Sequence, residues 1–206
     1  MKNKIYPKTI FLLKIFVLYL FLLTKSYSDN LKINDDWVFI GNDTAPVKIK
    51  IFSSFTCPHC ANFHMDVVPK IKKNYVDSGK VQLIFLDFPL DQAAFNASKL
   101  LHCADKNKQM NFMDLIYENQ VKWANGSDIN VINENLKKIS KSLGIDSIKF
   151  DQCLANESIS DKILNERINS HKKYNISSTP TIIINEKKLE GGSDFKNIKK
   201  KIEKLI

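Results

Sequence analysis

Apolar and polar residues alternate along Val47-Lys48-Ile49-Lys50-Ile51-Phe52, and the β-branched content there predicts a strand. Phe63, Val67, Ile71 and Tyr75 then recur every fourth residue, the signature of one apolar helical face. Pro69 lies within that helix and predicts a kink. Val81-Gln82-Leu83-Ile84-Phe85-Leu86 is almost continuously apolar, as a strand buried on both faces should be. Strand, helix and strand in this order predict a right-handed crossover with parallel pairing. Ahead of them, Trp37-Val38-Phe39-Ile40, within a lead-in over 29–46, suggests an added strand or hairpin covering the sheet edge.

From Asp91 to about Asn175 the period becomes helical. Ala94, Ala97, Leu100, Leu101 and Ala104 mark one face, Phe112, Leu115, Ile116 and Asn119 a second. Ile132, Leu136, Ile139 and Leu143 form a third, stopped by Gly144. Asp146 is placed to cap a short helix through Leu154, and Ser158 or Ser160 one through Lys173. After Pro180 the pattern predicts a strand over Thr181–Asn185, a turn at Glu186-Lys187 and a second strand to Glu190. Phe195, Ile198, Ile202 and Leu205 are spaced for a closing amphipathic helix. No repeat of 20 to 50 residues is present.

A chain of 206 residues with 44% apolar residues suits one domain, or one domain with an insertion, and excludes general disorder. Residues 1–28 differ from the rest. Lys2, Lys4 and Lys8 precede a short apolar stretch interrupted by Lys14, and Ser26-Tyr27-Ser28 supplies small residues before Asp29. This pattern is read as a cleaved secretory signal, with an uncleaved membrane anchor as the alternative. The formal charge of +9 falls to +4 without that segment, because it holds five lysines and no acid. The remaining lysines, including Lys199-Lys200-Lys201, read as a solvated face, and no interleaved aromatics point to nucleic acid.

The candidate chemistry lies between the first strand and the helix, at Cys57-Pro58-His59-Cys60. Cysteines three apart in a first helical turn share one side, so they can close a small disulfide ring and reopen it. Pro58 suits the first helical position, where its missing N–H costs nothing. The unpaired N–H groups of the helix start, with His59 alongside, are expected to hold the Cys57 sulfur as a thiolate. That would stabilise the reduced pair and make the disulfide a stronger oxidant. Cys60, one turn further in, is the expected resolving sulfur. A zinc site would need a second pair at ligand spacing. Cys103 and Cys153 stand 50 positions apart and do not supply one. In an oxidising compartment those two are expected to bond to each other, the alternative being two small buried apolar residues. His64, His102 and His171 are read as surface or core-edge residues rather than ligands.

Phe55-Thr56-Cys57-Pro58-His59-Cys60, Gly79-Lys80-Val81, Asp87-Phe88-Pro89-Leu90-Asp91 and Ser178-Thr179-Pro180-Thr181 together resemble the DsbA-like branch of the thioredoxin superfamily. The resemblance implies an α/β, thioredoxin-like fold with a helical insertion between its βαβ half and its cis-proline ββα half. The core would be 29–91 and 176–206, and the insertion 92–175. It also implies that Cys57 is the sulfur bonded by substrate, that Cys60 resolves the mixed disulfide, and that Pro180 is a cis-proline facing them. The main chain of Thr179 would pair with an extended substrate segment. Many relatives carry a buried acid six positions before the first cysteine, but here that position is Ile51.

The expected activity is therefore that of an exported, periplasmic, monomeric thiol–disulfide oxidoreductase without metal or organic cofactor. Its partners would be unfolded exported proteins with free thiols and, by analogy, a membrane protein that reoxidises it. An isomerase or reductase with the same site, a redox-inert chaperone, and a glutathione-using transferase are the alternatives.

Overall fold

The computed structural model describes residues 37–206, so the expected signal over 1–28 and the first part of the lead-in, 29–36, lie outside the described residues. Five strands form one mixed sheet: β1 (Val38–Ile40), β2 (Val47–Ser53), β3 (Val81–Asp87), β4 (Thr181–Ile184) and β5 (Lys187–Lys188). Their spatial order is β1-β3-β2-β4-β5. β2 and β3 run parallel, with Ile51 beside Phe85 and Ser53 beside Asp87. The other neighbours pair antiparallel. Every residue of β3 is buried, as its unbroken apolar run anticipates. β1 lies along the edge of β3. It ends at Gly41, whose φ of +98° and whose approach to the Val81 carbonyl leave no room for a Cβ: one would lie 2.6 Å from that oxygen.

The crossover between β2 and β3 is one helix, α1, over 58–76. It does not run as a plain α-helix with a proline kink. Its α-helical stretches Pro58–Asn62 and Val68–Ile71 alternate with the π-helical stretches Phe63–Val67 and Lys72–Val76. The Val68 N–H bonds to the Phe63 carbonyl five residues back, and Pro69 has no N–H to offer Met65. The wider turn there is where the missing hydrogen bond is absorbed.

The insertion comprises α2 (Gln92–Cys103), a single 3-10 turn (Lys106–Lys108), α3 (Gln109–Glu118), α4 (Gln120–Trp123), α5 (Ile129–Lys141), α6 (Ser147–Leu154) and α7 (Glu157–Tyr174). Asp146 caps α6 by accepting from Lys149 N at 2.8 Å. The cap of α7 is Asn156, not Ser158 or Ser160. Its side chain accepts from Ile159 N at 3.1 Å, while the Ser160 hydroxyl turns back to the Asn156 carbonyl inside the helix. Short α4 has no counterpart in the periodicity, and its Trp123 is fully buried with the indole N–H on the Ile116 carbonyl. α8 (Phe195–Ile202) closes the chain, with Ile198 and Ile202 in the core. β4 and β5 are shorter than the sequence pattern suggests. Asn185 and Glu186, both at positive φ, take up the turn, and regular pairing stops at Lys188.

The sheet has two buried faces. Val47, Ile49, Ile51, Leu83 and Phe85 face the larger core with α1 and the insertion. Phe52, Ile84, Leu86, Phe88 and Ile183 face a smaller one with Ile176, Trp37 and Tyr174. The cysteine pair sits on the larger core, at the C-terminal end of β2.

Candidate active site

The active-site turn is built from main-chain bonds first. Cys57 N donates to the Ser54 carbonyl at 3.1 Å, and the Cys57 carbonyl then accepts from Cys60 N at 3.0 Å and Ala61 N at 3.2 Å. Cys57 is thus the N-cap of α1, in extended conformation, and Pro58 opens the helix where an N–H is not needed. Side chains fix this turn from two sides. The Ser54 hydroxyl accepts from Leu90 N and lies 3.2 Å from the Thr56 hydroxyl, which donates to Asp91 at 2.6 Å. Asp91 also caps α2 through Ala94 N. From the insertion, Gln120 donates its amide to the carbonyls of Phe55 and Cys57.

Both cysteines are free and buried, Cys57 8% exposed and Cys60 1%. Pro58 and His59 between them are exposed. The Cys57 thiol donates to the Thr179 carbonyl at 3.3 Å, and the Thr179–Pro180 peptide is cis. The loop before β4 therefore lies directly against the cysteine pair, bringing together residues 122 positions apart. The Thr179 hydroxyl is buried without a hydrogen-bond partner of ordinary geometry. Burial pushes the Cys60 thiol up to about 12; the Thr179 side chain and the Ser54 backbone work against that rise, and the neighbouring Cys57 adds to it.

Cys103 and Cys153 are bonded to each other and tie α2 to α6, apart from the cysteine pair. The histidines have structural partners. His64 is buried with Nε2 2.6 Å from Asp114 and its ring 4.8 Å from that of Tyr117, and His171 Nδ1 meets the Ile176 carbonyl. His102 is half-buried, 2.6 Å from Asp87. Among the described residues no group of three or more His, Cys, Asp or Glu is arranged to hold a metal ion. Gln120 and Tyr117 also shape the site, the first through the Phe55 and Cys57 carbonyls and the second against the Phe55 ring, and sequence patterns flag neither. Asp87 and Asp91 fall in the stretch Asp87-Phe88-Pro89-Leu90-Asp91 that carries the resemblance.

A family model described as Thioredoxin matches residues 34–204. A Rickettsia prowazekii protein whose name describes a protein-disulfide oxidoreductase is 30% identical over 176 residues, 85% of this chain and 63% of that protein. The chain thus spans somewhat less than two thirds of that relative's length. A Bacillus cereus relative bearing the name of disulfide bond formation protein D is also 30% identical over 176 residues, 81% of this chain and 77% of that one. The crystal structure of Wolbachia pipientis alpha-DsbA1 superposes with a TM-score of 0.73 at 31% identity, covering 83% of this chain and 91% of that chain.

Proposed function

The chain belongs to the DsbA-like branch of the thioredoxin superfamily, and from that premise we propose that it is an exported thiol–disulfide oxidoreductase that introduces disulfides into other proteins. The observation that carries this reading is the placement of Cys57 at the start of α1 against the Thr179 carbonyl, with Cys60 sealed one turn behind it. A substrate thiolate attacks Cys57, the bond to Cys60 breaks, and a mixed disulfide forms. A second substrate thiolate then attacks the substrate sulfur, and the protein is left with two reduced cysteines. The half-buried loop at Thr179, just ahead of β4, is where an extended substrate would pair its main chain while its sulfur reaches Cys57. Pro58 and His59, the two exposed residues inside the ring, tune that exchange.

Residues 1–28 form the export signal in this reading, followed by a domain from 29 onward. The bond between Cys103 and Cys153 agrees with life in an oxidising compartment such as a periplasm. Among the described residues no helix is long and apolar enough to cross a membrane. Reoxidation requires an electron acceptor, which the family relationship suggests is a membrane protein.

The test is to equilibrate the purified protein with reduced and oxidised glutathione and titrate the Cys57–Cys60 disulfide. Oxidases of this superfamily stand near about −120 mV and reductants near about −270 mV. A potential near the first value, with a peptide dithiol oxidised by the disulfide form and not by Cys57→Ser, supports the proposal. A potential near the second points to a reductase, and undiminished function of Cys57→Ser to a redox-inert binding protein.

A further inference from the structure

The lysines that the sequence reads as a solvated face are not spread evenly over the molecule. Lys187 and Lys188 of β5, Lys200 and Lys201 of α8, and Lys204 just beyond it line one open cavity of about 570 Å³, together with a single acid, Glu190, among the described residues. Outside this lining, residues 29–206 carry equal numbers of acidic and basic side chains, so the whole excess of +4 in that segment is concentrated here. Nearby carboxylates are engaged by other lysines, Glu186 by Lys50 and Lys173, and Glu203 by Lys199. Among the described residues none of the five pairs with a carboxylate, and Lys188 donates to the Asn175 carbonyl at 3.1 Å.

Lysines in the last turn of a helix offset its dipole, and lysines on an outer strand such as β5 discourage pairing with another sheet. Neither use requires the two sets to share one concave surface, where like charges repel and focus a positive field into the solvent. The heads of Lys187, Lys188, Lys200 and Lys204 are on exposed residues, and Lys201 is half-buried. Hydrated ammonium groups on flexible stems act as a diffuse charge, not as a fixed set of ligands for one small molecule. Leu205 and Ile206 follow Lys204 directly and are 41% and 50% exposed. A basic surface edged by exposed apolar side chains matches an anionic bilayer, whose phosphates lie outside its acyl boundary.

We infer that the β5–α8 face docks on a membrane of anionic phospholipids, with headgroup phosphates at the lysine-lined cavity and Leu205 and Ile206 resting at the acyl boundary. The inference goes beyond the thiol chemistry and does not depend on it. The lining shares no residue with the active-site turn or with the loop at Thr179, so docking engages neither.

The test sediments the full chain with vesicles of phosphatidylglycerol and phosphatidylcholine in equal parts, or of phosphatidylcholine alone, at low and at high salt. Lys200→Glu/Lys204→Glu and Lys187→Glu are compared with the parent, and Lys138→Glu/Lys141→Glu on the exposed side of α5 makes the same charge change elsewhere. Parent and variants share residues 1–28, so any affinity of that segment cancels in the comparison. The parent should prefer the anionic vesicles, and the preference should fade at high salt. With about fivefold in affinity for each lysine lost, the cavity double variant should bind at least about twentyfold more weakly and Lys187→Glu at least about fivefold, with the α5 variant within about twofold of the parent. Should the double variant fail to melt cooperatively, Lys187→Glu decides. Equal affinity of the parent for both vesicles overturns the inference, as does parental affinity in the cavity variants. An equal loss in the α5 variant also overturns it, since net charge alone would then be acting. So does calorimetric binding of inorganic pyrophosphate without any preference between vesicles, which marks a site for a soluble anion.

Discussion

The side-chain amide of Gln120 donates to the main-chain carbonyl of Cys57 at 3.1 Å, and to that of Phe55 at 2.7 Å. A residue of the helical insertion thereby holds the turn that presents the reactive sulfur. Because Gln120 is buried, Gln120→Ala strips the Phe55 carbonyl of the amide, while the Cys57 carbonyl keeps the N–H groups of Cys60 and Ala61, a loss of about 2 kcal/mol. Melting should fall by roughly 4–8 °C for a domain of this size. Disulfide exchange should also slow, since the Cys57 main chain is no longer fixed. An unchanged melting curve would show that water replaces the amide and that the insertion does not brace the turn.

Lys50 makes the corresponding contact on the opposite face of the sheet. Lys50 is 4% exposed, and its ammonium donates to Glu186 at 2.5 Å and to the Tyr174 hydroxyl at 3.0 Å. Burial lowers the Lys50 pKa, and Glu186 opposes that fall. For Glu186 itself burial acts to raise the value, but bonds from Lys50, Tyr174 and Lys173 bring it down to about 2. The folded value lies below the ordinary 4.5, so the contribution to stability is complete above pH 4.5 and is lost as pH falls toward 2. Glu186→Gln should flatten acid unfolding in that window. It should also lower stability at pH 7 by roughly 2 kcal/mol, less than a fully buried pair because Glu186 is half exposed. Urea melts of both proteins from pH 2 to 7 decide the matter.

Cys103 and Cys153 close a loop of 50 residues within the insertion. In the chain-entropy account such a closure removes about 4 kcal/mol of freedom from the unfolded chain. Cys103→Ala/Cys153→Ala should therefore melt about 10 °C lower. Its exchange rate at Cys57 should stay near the parental value, because the bond joins α2 to α6 and touches neither sulfur of the pair. A variant that melts as before would show that the reduced insertion packs equally well unfastened.

How far each of these residues could be read from sequence depends on how local its cause is. The cysteine pair, Pro58, the cap at Asp146 and the apolar face of α1 rest on spacing over a few residues, and they stand where the pattern puts them. Lys50 shows the limit. Alternation along β2 places it on a polar face, yet Tyr174 and Glu186, more than 120 positions away, cover that face and bury it. Gln120 carries no periodic signal either, since its partners are main-chain carbonyls that exist only once the insertion folds back over α1. The cap of α7 escapes the local pattern for a different reason: Asn156, Ser158 and Ser160 are all competent caps, and packing chooses among them. Asp87 at the end of β3 and His102 near the end of α2 meet only once the two elements pack, a tertiary relationship without a sequence spacing of its own.

Glu166 gives the molecule a stability slope of the opposite sign to that of Glu186. Burial, then the charge of Asp87, raises its carboxyl to about 8, with Lys162, Trp37 and Lys50 pulling the other way. Between the ordinary 4.5 and 8 the folded protein holds a proton at this site that the unfolded chain has lost. Stability is therefore fullest below pH 4.5 as far as this group is concerned, and it declines as pH rises through 8. Glu166→Gln keeps the hydrogen-bonding shape of the neutral acid and removes the titration. The expected outcome is a variant as stable as the parent near pH 5 and more stable at pH 8.5, measured by urea melts at matched ionic strength. Parallel pH profiles for the two proteins would mean that solvent reaches Glu166 and that α7 does not seal the far side of Asp87.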